Sequence, residues 1–444
     1  MTIFDETIAN ALDPGASAEI GIAIVGEVRL PGIFDVSGLA LAATVAAGRE
    51  LARLTGAARI HVDRGLVEDW FGITIRPIGW TLPDAWDPVA GNYRARDGWI
   101  RLHTNVPAHL SATLSVLGVA AERPAVARAV EGWERHDLED AVVRAGGVAA
   151  AMRSLDDWAA HPQGRAVAAE PLVAWSTRDG DPRDLPALRG DLDGLRVLDL
   201  TRVLAGPVAT RFLAGFGARV LRVDPPDWRE DGLAPETTLG KACCGLDLRR
   251  EEDRARFEAL VAQAHVLVHG YRPDALARLG YDEAARRALN PSLVDVALCA
   301  YGWTGPWSGR RGFDTVVQMN AGLAHEAMVR TGADGPVPLP VQALDHATGY
   351  LMAASVLRAL RALREEGRVS SARLSLARTA ALLVSGGIAD PGPRPPRTRD
   401  PETFAEETAW GPARRVAFPL RIDGRAPIWR RPAAPFRSAP AEWP

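Results

Sequence analysis

Segment 195–226, LRVLDLTRVLAGPVATRFLAGFGARVLRVDPP, constrains the fold of this chain more than any other stretch. An apolar strand carrying Val197, Leu198 and Leu200 runs into a loop holding Gly206 and Pro207. An amphipathic helix follows, with Phe212, Leu213 and Phe216 on one side, and Gly217 stops it. A second apolar strand, Val220 to Val223, ends on Asp224. Two apolar strands joined through a helix by short loops make a βαβ unit, which commits its surroundings to a parallel α/β sheet. Such a unit leaves backbone N–H groups at the helix start, where an anion can sit. The dinucleotide spacing G-x-G-x-x-G is absent, because the loop reads LAGPVATR, so an NAD-binding oxidoreductase is a poor reading.

At 444 residues the chain is expected to hold two or three domains. A net charge of −3 gives no electrostatic case for nucleic acid or an anionic membrane as partner. No run reaches membrane-span length, since the Ala-rich stretch after Gly38 is broken by Arg49 and Glu50. The acidic, polar start MTIFDETIAN does not read as a secretory leader. Three cysteines, two of them adjacent, make neither a disulfide framework nor a zinc site. A cytoplasmic protein without a metal is expected. Lys241 is the only lysine among 52 basic residues. It is either a point charge kept for a phosphate or a chance survivor on a solvated loop.

Further motifs follow the βαβ unit. They are KACCGLDL (241–248), LVHGYRP (267–273) with LARLG (276–280), NPSL (290–293), YGWTGP (301–306) and LDHATG (344–349). With segment 195–226 they resemble the class III CoA-transferases (the CaiB/BaiF family), which include formyl-CoA and carnitine CoA-transferases and the α-methylacyl-CoA racemases. The resemblance runs from Leu195 to about Ala380. It implies a Rossmann-like parallel-sheet large domain, a smaller α+β domain, acyl-CoA and a carboxylic acid as substrates, no covalently bound cofactor, and a homodimer.

The expected organisation is rearranged. Residues 1–90 read as a partial copy of the back half of the large domain, 91–176 as the small domain and 177–194 as a linker. Residues 195–390 read as the CoA-binding large domain, 391–412 as a Pro/Arg-rich linker and 413–444 as a closing arm. Segment 34–70 parallels 344–380: Asp, Gly, a long helix, a strand and another helix. The fold is therefore expected to be partly duplicated or permuted.

Asp345 stands where the resemblance places the catalytic aspartate, which attacks an acyl-CoA and passes through an aspartyl-CoA thioester. A carboxylate held against a thioester can act as nucleophile. Asp345 is also expected just before a helix that begins near Ala347, where an aspartate serves equally well as a cap. His346 reads as a first-turn helix residue, and Asp35 as a relic cap. Phe313 stands where the racemases carry a histidine, which counts against α-epimerisation. Arg272, at the carboxyl edge of the sheet, is a candidate for a CoA phosphate, as is Lys241 at a family position near CoA. Asp224 is a candidate for a ribose hydroxyl, and Arg202 and Gly206 for the first loop, where Leu204 cannot hydrogen-bond substrate. The family's glycine-rich loop before the small domain is not matched by segment 76–98. The expected function is CoA transfer between an acyl-CoA and a carboxylic acid. The alternatives are an acyl-CoA α-epimerase or racemase, or a non-catalytic CoA-binding subunit.

Overall fold

The structure, a computed structural model, describes residues 2–15, 20–27, 30–182, 185–388 and 400–444. Apolar β-branched runs build its central sheet, whose strand order is Lys241–Gly245, Arg219–Asp224, Arg196–Leu200, Val266–His269, Val294–Cys299, Arg368–Ser375 and Ala174–Asp179. The first six are parallel. Ala174–Asp179 closes the edge antiparallel to Arg368–Ser375. Numbered along the chain from Arg196–Leu200, the parallel strands lie in the order 3-2-1-4-5-6. That is the doubly wound arrangement, in which ligands bind beyond the strand ends where the order reverses. Here the reversal falls between Arg196–Leu200 and Val266–His269, so loops 201–204 and 270–273 flank it.

The small domain is a three-stranded antiparallel sheet of Gly91–Ala95, Gly98–Leu102 and Ala149–Ala151. Helices Pro107–Leu117, Arg123–Val130 and Arg135–Arg144 accompany it. Its core of Tyr93, Ile100, Leu102, Val126, Val130 and Leu138 is separate from that of the large domain. The expected α/β class, a parallel-sheet large domain with a smaller α+β one, is what the chain forms.

Segment 36–70 folds as helix Val36–Thr55, strand Arg59–Asp63 and helix Arg64–Trp70. Segment 343–385 repeats that order as helix Ala343–Glu366, strand Arg368–Ser375 and helix Leu376–Ser385. The two long helices pack on each other, burying small residues such as Ala40, Ala43, Ala353 and Ala354. Asp35 is a cap, accepting from the Gly38 N–H at 2.7 Å.

Two stretches expected as linkers carry strands. Thr177 to Asp179 lie in the edge strand of the main sheet, and Thr403–Thr408 forms a hairpin with Gly411–Val416. Both pair with distant partners, which local Pro and charge content cannot reveal. The first part of the second linker, 391–399, lies outside the described residues. The closing arm returns to the front of the chain: Leu420–Ile422 pairs with Arg59–Asp63, and Gly411–Val416 with Ile75–Pro77.

Gly349 sets how the long helix lies on the large domain. A Cβ there would sit 2.4 Å from the Ala205 carbonyl oxygen and 2.8 Å from Val208 Cβ, so the helix axis can approach only because the side chain is absent. Gly349→Ala is expected to lower stability by about 1–3 kcal/mol through overpacking, read as a lower urea midpoint at unchanged m-value.

Candidate functional site

Helix Ala343–Glu366 starts four residues earlier than the sequence implied, so Asp345 lies in its first turn and not before it. The physical reason is a cap supplied from elsewhere. Gln342, at the cap position, makes no side-chain capping bond. Instead Asp314 Oδ2 accepts from the Asp345 N–H at 2.9 Å. Asp314 opens its own helix, Asp314–Asn320, and Gln318 donates to its Oδ1. Asp345 and Gly349 are four residues apart and share a helix face. The close approach of Gly349 to Ala205 therefore turns Asp345 toward the first loop of the βαβ unit.

That loop is strained. Val203 has φ 63°, a left-handed conformation that costs a β-branched residue about 1–3 kcal/mol. Glu230 holds it there, its carboxylate accepting from the Val203 N–H at 3.0 Å. The anion at this helix start is thus a side chain of the protein itself. Glu230 lies 3.6 Å from Arg222.

Asp345 is 5% exposed, and no described side chain hydrogen-bonds its carboxyl. Burial first, then the neighbouring charges of Asp314 and Glu230, push its pKa well above the usual carboxylate range. Burial raises Asp314 to about 6 and also raises Glu230. A carboxyl kept dry, unpaired and beside two others is poorly solvated when ionised, which makes it a strong nucleophile once charged. The buried thiols are no rival, since burial pushes Cys243 and Cys244 up to about 12.

The other expected site residues divide. Arg202 and Tyr271 meet across the point where the strand order reverses, Nη2 donating to the tyrosine hydroxyl at 2.7 Å. The guanidinium also lies 4.6 Å over Trp228, giving this crevice an aromatic and cationic lining. Arg272 is half-buried one residue on, with Nη1 near the Gly309 carbonyl at 3.4 Å, so it stays beside the crevice with donors to spare.

Three candidates are taken up by the protein interior. Lys241 is 1% exposed, and its Nζ donates to Asp199 Oδ2 at 3.0 Å and to the Pro207 carbonyl at 3.1 Å. Burial lowers its pKa to about 8 against the pull of Asp199. It is an internal ion-pair member and not a surface phosphate contact. Asp224 is fully buried, gripped by Arg222 Nε at 2.9 Å and Nη2 at 3.0 Å, which leaves no oxygen for a ribose. Gly206 serves close packing: a Cβ there would fall 2.2 Å from Thr201 Cβ. His346 stacks on Phe71 with ring centroids 5.0 Å apart, and burial drops its pKa to about 3, so it is a packing residue.

Sequence reasoning missed Glu230, the bond between Asp314 and the Asp345 N–H, and the stacking of His103 of the small domain on Phe313. Only tertiary contacts assemble these. A groove of about 580 Å³ lined by Phe404, Phe418 and Trp429 lies between the 403–416 hairpin and the closing arm, and Asp345 does not line it. No group of three or more metal-ligating side chains occurs among the described residues, and no described helix is long and apolar enough to cross a membrane.

Residues 192–408 match CoA-transferase family III. The chain is similar to the acetyl-coenzyme A transferase nodX of Hypoxylon pulicicidum, 34% identical over 203 residues, covering 45% of this chain and 34% of that protein. A "probable fatty acyl-CoA transferase" of Mycobacterium tuberculosis is 34% identical over 183 residues, covering 38% and 46%. The acetyl-CoA:oxalate CoA-transferase of Acetobacter aceti is 35% identical over 161 residues, covering 33% and 40%. The chain thus spans between about a third and a half of the length of these curated relatives. A crystal structure of a hypothetical protein from Mycobacterium tuberculosis aligns with 29% identity over 44% of this chain and 56% of that one, with a TM-score of 0.39.

Proposed function

We propose, from the match of residues 192–408 to CoA-transferase family III, that this protein moves CoA between an acyl-CoA and a carboxylic acid through Asp345. The observation that carries the reading is the state of that carboxyl: dry, unpaired among described side chains and turned toward the loop at the carboxyl edge of the sheet. An ionised Asp345 oxygen attacks the thioester carbonyl, the C–S bond breaks, and CoA leaves as thiolate. The thiolate then attacks the aspartyl carbonyl of the mixed anhydride, releasing the first acid as its carboxylate and leaving an aspartyl-CoA thioester. The acceptor carboxylate repeats the two steps in reverse order, so one thioester replaces another. Arg202, Tyr271, Trp228 and Arg272 offer the crevice in which the CoA moiety lies.

The repeated helix–strand–helix order of 36–70 and 343–385 supports reading the first 90 residues as a partial copy of the large-domain back half. The chain would then be a rearranged member with the small domain at 91–176 and the closing arm at 413–444. A homodimer in the cytoplasm is the assembly and location this reading carries.

The test is to incubate the protein with a panel of acyl-CoAs and free acids in D₂O and follow every acyl-CoA species by mass spectrometry. New acyl-CoAs without deuterium at Cα are expected. Deuterium at Cα without acyl exchange would assign an epimerase, and CoA binding with no change in any species would assign a non-catalytic subunit.

The pH dependence follows from the carboxyl pair. Attack needs Asp345 ionised, and its raised pKa keeps it protonated to higher pH than an ordinary aspartate. The acid limb of kcat/KM is therefore expected above the usual carboxylate range of about 4, with apparent values belonging to the Asp314–Asp345 pair. Asp314→Asn keeps an acceptor for the helix N–H groups and removes the like charge. It should move that limb to lower pH; an unmoved limb would contradict the coupling.

A further inference from the structure

We propose that the open edge of strand Gly21–Val25 pairs antiparallel with the same strand of a second copy of this chain, about a two-fold axis at Ala23. The interface takes no part of the Asp345 site; it gives the homodimer of the transferase reading a specific surface. Gly21–Val25 lies parallel to Arg59–Asp63, which has Leu420–Ile422 antiparallel on its other side. The large domain repeats that pattern. Val294–Cys299 lies parallel to Arg368–Ser375, which has Ala174–Asp179 antiparallel beyond it. There the remaining edge of Val294–Cys299 is filled by Val266–His269. The matching edge of Gly21–Val25 pairs with no described strand.

The Gly21 N–H donates to the Ala58 carbonyl at 2.9 Å, so Gly21, Ala23 and Val25 turn their backbone groups toward Arg59–Asp63. Successive residues alternate, which aims the N–H and C=O groups of Ile22 and Ile24 outward. The strand reads GIAIV, with none of the charges or prolines that protect a sheet edge. Pairing centred on Ala23 sets Ile22 opposite Ile24 of the second copy, so every outward N–H meets an outward C=O. The isoleucines stay on the face packed against the main core, and Gly21, Ala23 and Val25 stay on the exposed face. A slip of one residue would exchange those faces. Charge agrees with this register. Arg59 lies beside Gly21 and Asp63 beside Val25. The Arg59 stem leans over Gly21, where a Cβ would be 3.2 Å from Arg59 Cγ, and neither Arg59 nor Asp63 forms an ion pair with a described residue. With Gly21 opposite Val25 of the second copy, the outer rows of the joined sheet each carry an arginine at one end and an aspartate at the other. Such self-complementarity is what a two-fold contact requires, whereas a separate partner offering a parallel strand would have no use for it.

A contact made by one short strand gives a weak dimer, so the test follows the mass of the full chain by sedimentation from about 1 to 100 µM. The mass should rise toward that of a dimer across this range. Ala23→Lys sets like charges face to face on the axis and should weaken association at least about tenfold. Ala23→Thr, uncharged and suited to a strand, should leave it within about twofold. Residues opposed in this way, without hydrogen bonds between them, have Cα atoms about 4.5 Å apart, within reach of a disulfide. Ala23→Cys should therefore give a disulfide-linked dimer under mild oxidation. Val25→Cys, about 13 Å from its own copy, should not, and the native Cys243, Cys244 and Cys299 are buried. A monomer at every concentration, a dimer that Ala23→Lys leaves intact, or equal cross-linking of the two cysteine variants would overturn this interface. Acyl-CoA exchange, measured on the same preparations, decides the transferase reading separately.

Discussion

Asp345→Asn is expected to lose turnover by on the order of 10⁴-fold or more, because an amide cannot form the anhydride or the thioester and a missing nucleophile is not replaced by its neighbours. The same substitution is expected to stabilise the unliganded protein. Asp345 has a folded-state pKa raised by burial, Asp314 and Glu230. Below the pKa of the unfolded chain, near 4, the carboxyl is neutral in both states and carries no penalty. As pH rises the unfolded chain ionises first, so unfolding becomes easier until pH passes the raised folded value. Each unit of the displacement is worth about 1.4 kcal/mol. Asparagine never ionises, so the gain in Tm over the unsubstituted protein should be absent near pH 4 and grow toward neutral pH. A variant that is inactive and less stable at neutral pH would mean that the aspartate is a structural cap.

The largest loss of stability is expected at a buried ion network that joins four parts of the chain. Arg415, on the hairpin, is 0% exposed. Its Nε meets Glu406 Oε2 at 2.6 Å, its Nη1 meets Glu236 Oε2 at 3.2 Å and Thr74 Oγ1 at 2.9 Å, and its Nη2 meets the Pro235 carbonyl at 2.8 Å. Arg211, on helix Ala205–Gly215, also pairs with Glu236. Burial alone would raise Glu236, but Arg211 and Arg415 outweigh it and hold it at about 2. Glu236→Ala leaves two guanidiniums without their shared partner in a dry interior. Breaking a buried pair from one side costs about 3–5 kcal/mol, and the loss should appear in urea unfolding at pH 7. Because the folded pKa is depressed, the contribution is present above the unfolded value near 4.5 and fades as pH falls toward 2. The variant and the parent should therefore converge in stability in that acid window. A loss below about 1 kcal/mol at pH 7 would place this network with solvent-screened surface pairs.

The sequence carried the large-domain architecture well, because local patterns encode it. Apolar strands, amphipathic helices and glycine stops at 195–226 lead directly to the parallel sheet and its reversal point. The catalytic candidate was legible through LDHATG, but the helix start was not. Residues 343–346 join the helix because Asp314, thirty-one positions earlier, caps them from another helix. Lys241 was misread for a similar reason: its partner Asp199 lies on a different strand, forty-two positions away. Asp224 could have been read correctly. Arg222 and Asp224 are two apart on one strand and so share a face, which places a buried cation beside the carboxylate. Glu230 carries no local signature, since a loop glutamate is ordinary until the tertiary fold brings its charge to bear on Asp345.

The most direct measurement is peptide mass spectrometry of the protein incubated with an acyl-CoA and quenched with hydroxylamine. Hydroxylamine converts an aspartyl anhydride or thioester into a hydroxamate on the same side chain. A hydroxamate mass on the peptide containing Asp345, dependent on acyl-CoA and absent in Asp345→Asn, is the expected result. Acyl-CoA turnover with no modified Asp345 peptide, or a hydroxamate mapped to another carboxylate, would contradict the account.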